Sequence, residues 1–121
     1  MGPAEAIRRI FSAWETNYPD GLAQLFTEDG VYEDPLKGSR IEGRDNVQSE
    51  NAPAMAALDS CRIDIWRSVE DGDVGFSEGY FASSLADGSG RLDFPFAVVV
   101  EMRDGLVARC VEYFDTRPLI P

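Results

Sequence analysis

The chain has 121 residues, which is enough for one hydrophobic core and too few for two. Hydrophobic residues make up 44% of it, and a formal net charge of −11 makes it strongly anionic at neutral pH. This charge argues against nucleic acid and anionic membranes as partners. The absence of histidine excludes Ser-His and Cys-His nucleophile pairs and the common zinc sites. We therefore expect a single domain over residues 1–121 whose chemistry relies on carboxylates and phenols.

The sequence shows no pattern of a membrane span, a signal peptide or a disulfide framework. No apolar segment approaches the roughly 20 residues that span a bilayer, and the N-terminus lacks the pattern of a signal peptide. The two cysteines, Cys61 and Cys110, lie in segments that look like strands, where free thiols usually behave as small buried hydrophobes. These features predict a cytoplasmic, soluble protein without a required disulfide.

The first quarter of the chain predicts two helices. The first runs from residue 3 to about residue 17, Pro19 ends it, and Asp20 caps a short second helix. Apolar residues recur along both at intervals of three and four, which is the spacing of one helical face. These residues are Ile7, Ile10, Phe11, Trp14, Tyr18, Leu22, Leu25 and Phe26.

A strand that carries an acidic residue follows these helices. Residues 27–30 form a turn cluster, and the alternation in residues 31–34 predicts a short strand that Pro35 stops. The residue before a proline avoids the α region, so Asp34 is held extended at the strand end. A loop rich in glycine, serine and charge then leads to residue 43.

The rest of the chain predicts one more helix and a run of strands. Residues 44–58 favour a helix that Pro53 should kink or divide. Turn clusters then separate four extended segments at approximately 61–69, 74–85, 91–102 and 106–116, which we expect to pair as sequential antiparallel strands. Helices followed by a meander of strands predict an α+β fold with the helices on one face of the sheet.

Three segments resemble a known superfamily. Residues 20–35 (DGLAQLFTEDGVYEDP), 43–47 (GRDNV) and 111–115 (VEYFD) resemble the SnoaL-like and ketosteroid-isomerase-like branch of the nuclear transport factor 2-like superfamily. The resemblance covers nearly the whole chain. It implies a cone-shaped barrel of strongly curved mixed or antiparallel sheet, with the N-terminal helices on its concave side and a pocket inside. It also implies a homodimer.

The same resemblance implies roles for three residues. In the family's isomerases, the Asp at the position of Asp34 is a general base that moves a proton next to a carbonyl. The positions of the isomerase oxyanion Tyr and protonated acid are held here by Ile10 and Val99, so that part of the pattern is missing. In limonene-epoxide hydrolases, Tyr32 corresponds to a water-holding Tyr and Glu112 to an Asp of the last strand, but the Arg-x-Asp element is missing.

Each candidate has an ordinary alternative. Asp34 can be a turn residue whose side chain bonds nearby backbone, and Glu112 can be a solvent-facing strand residue. Tyr32 and Tyr18 can donate to a substrate oxygen or simply form part of the core. The predicted pocket lining is aromatic and apolar and comprises Trp14, Tyr18, Phe26, Phe81, Phe94, Phe96, Val98 and Phe114.

The sequence therefore supports two functional hypotheses. The first is an isomerase, cyclase or hydrolase that needs no cofactor and no metal and acts on a small hydrophobic ketone or epoxide by carboxylate acid–base chemistry. Its catalytic residues would be Asp34 as base, Glu112 as partner acid or water-orienting group, and Tyr32. The alternative is a non-catalytic ligand-binding or dimerisation module of the same fold. Trp66 and Tyr80 are candidates for the dimer contact on the convex face.

Overall fold

The structure is a computed structural model that describes residues 1–115. Within this range it has three α-helices and six strands, which confirms the predicted α+β class. The helices are α1 (Pro3–Glu15), α2 (Pro19–Gln24) and α3 (Arg44–Ala56). The strands are β1 (Phe26–Asp34), β2 (Ser39–Glu42), β3 (Leu58–Asp71), β4 (Val74–Leu85), β5 (Arg91–Arg103) and β6 (Leu106–Phe114). None of the helices in this range is long and apolar enough to cross a bilayer.

The strands form one mixed sheet in the order β2-β1-β6-β5-β4-β3. The four segments β3 to β6 pair in sequence as antiparallel neighbours, as the turn clusters predicted. The last strand, β6, lies parallel beside β1, with Tyr32 opposite Cys110 and Glu33 opposite Val111. The sheet is open, with β2 and β3 at its edges, rather than closed into a barrel.

The core lies between one face of the sheet and the helices. Alternate residues of β5, from Phe94 through Val98 to Met102, are buried because successive strand side chains point to opposite faces. They pack against the buried stripe of α1, which includes Ile7 and Phe11. Each such side chain contributes roughly 1.5–3 kcal/mol when it is removed from water. This packing fixes the inner face of the sheet, where a pocket can form.

The boundary between α1 and α2 differs from the prediction. Helix α1 ends at Glu15, and Thr16 bonds back to the Ser12 carbonyl oxygen through its Oγ1 at 2.8 Å. Pro19 does not terminate this helix; it is the first residue of α2, where a missing N–H costs nothing. The residue before α2 is Tyr18, and Asp20 lies in the first turn rather than at the cap.

The segment before Asp34 also differs from the prediction. Residues 27–30 are part of β1 instead of a separate turn. The pairing of β1 with β6 shifts register between Phe26 and Val31, which accommodates these residues within the strand. The predicted loop after Asp34 contains a 3₁₀ turn, Pro35–Lys37, and then β2. Strand β2 pairs antiparallel with β1, so Asp34 has strands on both sides.

Two further boundaries differ in detail. Helix α3 continues through Pro53. Proline has no N–H, so the carbonyl of Ser49 loses its helical hydrogen bond. Both residues are exposed, so water can bind this carbonyl instead. Strand β3 begins at Leu58, earlier than predicted, and β6 ends at Phe114. The predicted continuation of that strand to residue 116 lies outside the described residues.

Candidate functional site

A pocket of about 170 Å³ lies between the inner face of the sheet and helices α1 and α3. Aromatic side chains are the largest group in its wall, together with four polar and four aliphatic side chains. The aromatic residues are Phe11, Trp14, Tyr32, Phe81, Phe94, Phe96 and Phe114, and the polar residues are Asp34, Lys37, Asn51 and Glu112. The remaining lining residues are Ala54, Leu58, Ile63 and Leu92. This volume is smaller than the roughly 300–1,000 Å³ of pockets for drug-sized ligands, so it suits a molecule of about one ring.

Strand pairing builds the aromatic wall. Phe81 on β4 is paired with Phe94 on β5, so the two rings project from the same face of the sheet. Their centroids are 4.7 Å apart, and Phe114 of β6 stacks on the other side of Phe94 at 4.6 Å. Offset stacking at these distances adds to the stabilisation from burial alone. The result is a continuous aromatic surface along one side of the pocket.

The two candidate carboxylates face this pocket from neighbouring strands. The parallel register that places Tyr32 opposite Cys110 and Glu33 opposite Val111 brings Asp34 next to Glu112 one residue further on. Both side chains line the pocket. On β6, alternation points Cys110, Glu112 and Phe114 inwards and leaves Tyr113 42% exposed. The structure therefore resolves which face of the last strand lies inside.

Asp34 has an unusual environment. Its Oδ1 atom is buried, and within residues 1–115 no hydrogen-bond donor contacts it. Burial raises the pKa of the Asp34 carboxyl to about 6, although the positive charge of Lys37 opposes the shift. A buried oxygen without a donor is uncommon in native proteins and frequently marks a functional position. At pH 7 this carboxyl is mainly ionised and has a free oxygen to accept a proton.

The pKa of Glu112 is raised further than that of Asp34. Burial raises the pKa of its carboxyl to about 8, the negative charge of Asp34 adds to the shift, and a hydrogen bond from Tyr32 opposes it. Glu112 is therefore mainly protonated at pH 7. Neighbouring carboxyl groups with separated pKa values are the arrangement in which one serves as base and the other as acid.

Tyr32 connects Glu112 to α1. Its hydroxyl donates to Glu112 Oε1, and the indole Nε1 of Trp14 donates to the same hydroxyl at 3.1 Å. Burial raises the pKa of the Tyr32 phenol well above its usual value, and the negative charge of Glu112 adds to the shift. Because the one phenolic proton is used by Glu112, Tyr32 is better placed to hold that carboxyl than to donate to a ligand.

Lys37 lies on the turn that follows Asp34. The 3₁₀ turn Pro35–Lys37 ends at Gly38, whose φ of 69° is in the left-handed region that favours glycine. The turn brings the Lys37 Nζ to 5.0 Å from the centroid of the Phe114 ring, a cation–π distance. An ammonium group therefore lies over an aromatic face at the pocket, and its charge acts on the Asp34 carboxylate.

Three of the predicted pocket residues lie elsewhere. Tyr18 is 53% exposed, because α1 ends before it and the helical spacing from Trp14 no longer applies. Phe26 is fully buried and stacks on the Tyr32 ring at 5.8 Å, so it supports the wall from behind. Val98 is also fully buried and is paired with Glu112 across β5 and β6. The other predicted residues, Trp14, Tyr32, Asp34, Phe81, Phe94, Phe96, Glu112 and Phe114, all line the pocket.

The two positions compared with the isomerase pattern also lie away from the pocket. Ile10 is fully buried in the core. Val99 lies on the outer face of β5, because Val98 and Val100 on either side of it point into the core. Neither residue is positioned to contact a molecule in the pocket.

Sequence reasoning missed Asn51 and Lys37. Asn51 is 6% exposed, lines the pocket from α3 and donates through its Nδ2 to the Val47 carbonyl at 2.8 Å. The four-residue spacing of Val47, Asn51 and Met55 on the inner face of α3 is the signal that identifies it. No local pattern predicts the approach of Lys37, because this approach depends on the 3₁₀ turn.

Comparisons with known proteins agree with this architecture. A sequence model described as the SnoaL-like domain matches residues 7–110. A comparison with curated proteins found no match.

Several solved structures share the fold. A hypothetical protein with a ketosteroid isomerase-like fold from Catenulispora acidiphila, in complex with trimethylamine, is 22% identical with a TM-score of 0.81, over 93% of this chain and 86% of that one. An LEH-like epoxide hydrolase from M. tuberculosis is 24% identical with a TM-score of 0.78, over 92% and 80%. A protein from Jannaschia sp. CCS1, provisionally assigned as a SnoaL-like polyketide cyclase, is 15% identical with a TM-score of 0.82, over 97% and 88%. At these identities the likeness shows the fold alone.

Proposed function

The chain belongs to the SnoaL-like domain family, and we propose that it is a cofactor-independent enzyme that moves a proton on a small hydrophobic, oxygen-bearing molecule. The observation that carries this proposal is the pair Asp34 and Glu112 in one apolar pocket. Burial raises the pKa of both carboxyl groups, and the charges of Lys37 on Asp34 and of Asp34 on Glu112 help to separate them to about 6 and about 8, so a base and an acid coexist at neutral pH. Such a pair is effective when the pKa of each group lies near the working pH.

The reaction is a proton transfer next to a carbonyl. The ionised Asp34 takes a proton from the carbon beside the carbonyl, and the electrons of the broken C–H bond form a carbon–carbon double bond. The carbonyl π electrons move to the oxygen, where the protonated Glu112 donates a hydrogen bond. Asp34 then returns its proton to another carbon of the conjugated system, which gives an isomer and restores both carboxyl groups. Tyr32 and Trp14 hold Glu112 in place.

The pocket favours a monocyclic substrate. Its wall consists mainly of aromatic and aliphatic side chains, and its volume of about 170 Å³ accommodates roughly one ring with small substituents. A hydrophobic cyclic ketone meets both requirements, because its ring contacts the wall while its oxygen contacts the few polar groups. Solved structures that share the fold include a hypothetical protein with a ketosteroid isomerase-like fold and an LEH-like epoxide hydrolase, so the fold is compatible with chemistry on oxygen-bearing molecules.

A direct test uses two simple probes. A β,γ-unsaturated cyclohexenone reports proton transfer through the ultraviolet absorbance of its conjugated isomer, and cyclohexene oxide reports water attack through diol formation. We expect isomerisation of the ketone, its loss in Asp34→Asn and its retention in Asp73→Asn, an exposed aspartate in the β3–β4 turn. Diol formation without isomerisation would assign the carboxylates to water activation instead.

The alternative is a binding module of the same fold. In that case neither probe reacts, and the ketone binds with an affinity that does not depend on pH or on the Asp34→Asn change. Such a result would contradict the enzymatic proposal.

We also propose that the chain forms a homodimer through the outer face of the sheet. Trp66 is 60% exposed on this face and stacks on Tyr80 with ring centroids 6.2 Å apart. Val69 and Phe76 form a neighbouring exposed pair at 58% and 37% exposure. Large exposed apolar groups often mark a contact surface, and here the Arg67–Glu78 ion pair lies between the two pairs on the same face. A second copy would cover them and leave the pocket, on the opposite face, accessible.

A further inference from the structure

The positive charge at the pocket comes from Lys37, which is the only lysine in the sequence. Among the lining residues that the structure describes, it is also the one cationic side chain. Its Nζ lies 5.0 Å from the Phe114 ring centroid, and Phe114 is itself held by stacking on Phe94 at 4.6 Å. The ammonium therefore rests on a rigid aromatic support at the pocket.

The same ammonium acts on the candidate base. Lys37 is three residues after Asp34, on the 3₁₀ turn that starts directly after the acid. Its charge opposes the effect of burial on the Asp34 carboxyl, which places the two groups within effective electrostatic range. Electrostatic interactions are stronger in a partly buried, mainly apolar pocket than in water, so a negative charge that forms beside Asp34 also interacts with Lys37.

Few hydrogen-bond donors remain for an oxygen in the pocket. The Tyr32 hydroxyl donates to Glu112, and the Trp14 indole donates to Tyr32. The donors left among the described lining residues are the proton of Glu112, the three N–H groups of Lys37 and the second N–H of the Asn51 amide, whose first N–H bonds the Val47 carbonyl. A negative charge that develops on an oxygen near Asp34 therefore has one cation with which to pair.

We propose that Lys37 contacts the oxygen of the pocket's occupant and stabilises its negative charge, and that the occupant is a monocyclic carbonyl compound whose oxygen becomes anionic as an enolate. This inference rests on the proposed function, because it takes Asp34 as the base that generates the charge. When Asp34 accepts the proton it becomes neutral, and the charge moves to the oxygen. The Lys37 ammonium, whose charge already acts on the carboxylate, is then available to the enolate.

The test measures binding rather than turnover. The Asp34→Asn variant represents the base after it has taken its proton, and Lys37→Met or Lys37→Arg is added to it. The probes are para-nitrophenol, at a pH where it is the phenolate, and para-nitroaniline, a neutral molecule of nearly the same shape. Affinities are measured by the absorbance of each probe, and circular dichroism checks the fold of every variant.

We expect a selective loss. Lys37→Met should weaken phenolate binding about five- to tenfold, which is typical of losing a partly exposed ion pair. It should change nitroaniline binding by less than about twofold, and Lys37→Arg should retain phenolate binding because it keeps the charge. Equal losses for both probes, or no loss for either, would overturn the proposal. Absence of saturable binding by both probes would also overturn it, because the pocket would not accept an oxygen-bearing ring.

A second readout uses the single lysine. Protein labelled only at the lysine side chain gives one ε-carbon NMR signal, shifted by the Phe114 ring. Phenolate should move this signal in the Asp34→Asn variant, whereas nitroaniline should leave it nearly unchanged. If the cyclohexenone proves not to be isomerised but the selective loss is seen, the proposed function fails while Lys37 stands as the anion-recognition residue. If isomerisation occurs and Lys37→Met leaves its kcat unchanged, the role of Lys37 fails alone.

Discussion

Asp34 and Glu112 lie side by side on the parallel strands β1 and β6, 78 positions apart in sequence and facing the same pocket. Their proximity is a consequence of the chain return that places β6 beside β1. Burial raises the pKa of Asp34 to about 6 and that of Glu112 to about 8. The pKa of Glu112 rises further because the negative charge of Asp34 lies beside it.

The first prediction concerns the base. Asp34→Asn keeps the shape of the side chain but removes its ability to accept a proton, so kcat for the cyclohexenone should fall about 10²–10⁴-fold. In the wild type, kcat/KM should rise as the pH passes about 6, where Asp34 ionises, and fall beyond about 8, where Glu112 loses its proton. Rates measured from pH 5 to pH 10 test this bell shape.

The control for this prediction is Asp73→Asn, which changes an exposed aspartate in the same way. It should leave the rate and the pH profile unaltered. A pH-independent rate in the wild type would contradict the assignment of base and acid.

The second prediction concerns stability. The ordinary pKa values of the two carboxyl groups are 3.8 and 4.5, so between these values and the raised ones the folded state binds more protons than the unfolded state. The free energy of unfolding should therefore fall as the pH rises from about 4 to about 8. This decrease should amount to a few kcal/mol at most, and Glu112→Gln should remove most of it. At pH 9 the variant should therefore be more stable than the wild type.

Urea denaturation at pH 5, 7 and 9 measures this effect. Glu50→Gln, an exposed position on α3, is the matched control and should retain the slope of the wild type. A wild type whose stability rises over this range would show that Glu112 is ionised in the folded protein.

The third prediction concerns Tyr32. Tyr32→Phe removes the hydrogen bond that favours the ionised form of Glu112 and leaves the Trp14 indole without its acceptor. The pKa of Glu112 should rise, so the falling limb of the rate profile should move to higher pH. The free energy of unfolding should drop by about 1–3 kcal/mol.

Tyr113→Phe makes the same chemical change at a residue that is 42% exposed on the outer face, and it should have neither effect. A falling limb that stays in place in Tyr32→Phe would mean that Tyr32 does not position Glu112.

The sequence predicted the site better than it predicted the connections. Strand alternation placed Phe94 and Phe96 on one common face, and the family resemblance identified Asp34 as a candidate. The bond between Tyr32 and Glu112 joins residues 80 positions apart and depends on the parallel β1–β6 pairing, for which no local pattern exists. Tyr18 was misplaced because helical spacing was extended past the end of α1.

The fourth prediction concerns the outer face. Trp66→Glu replaces an exposed aromatic side chain of the outer face with a charge, and it should convert a homodimer into monomers because an unpaired charge is costly to bury. Sedimentation velocity measures the change. Leu36→Glu, at a side chain 65% exposed beside the pocket turn, is the control and should remain dimeric.

A wild type that sediments as a monomer at micromolar concentrations would contradict the dimer proposal. It would leave the account of the pocket unaffected, because the pocket lies on the opposite face of the sheet.

The most direct test of the central claim is a carboxyl-carbon NMR titration of the wild type and of the Asp34→Asn and Glu112→Gln variants, which assign the two signals. The account predicts that Asp34 titrates with a pKa of about 6 and Glu112 with a pKa of about 8, and that the pKa of Glu112 falls in Asp34→Asn because the neighbouring charge is gone. Titration of both groups near their ordinary values of 3.8 and 4.5, with no effect of either variant on the other group, would contradict the account.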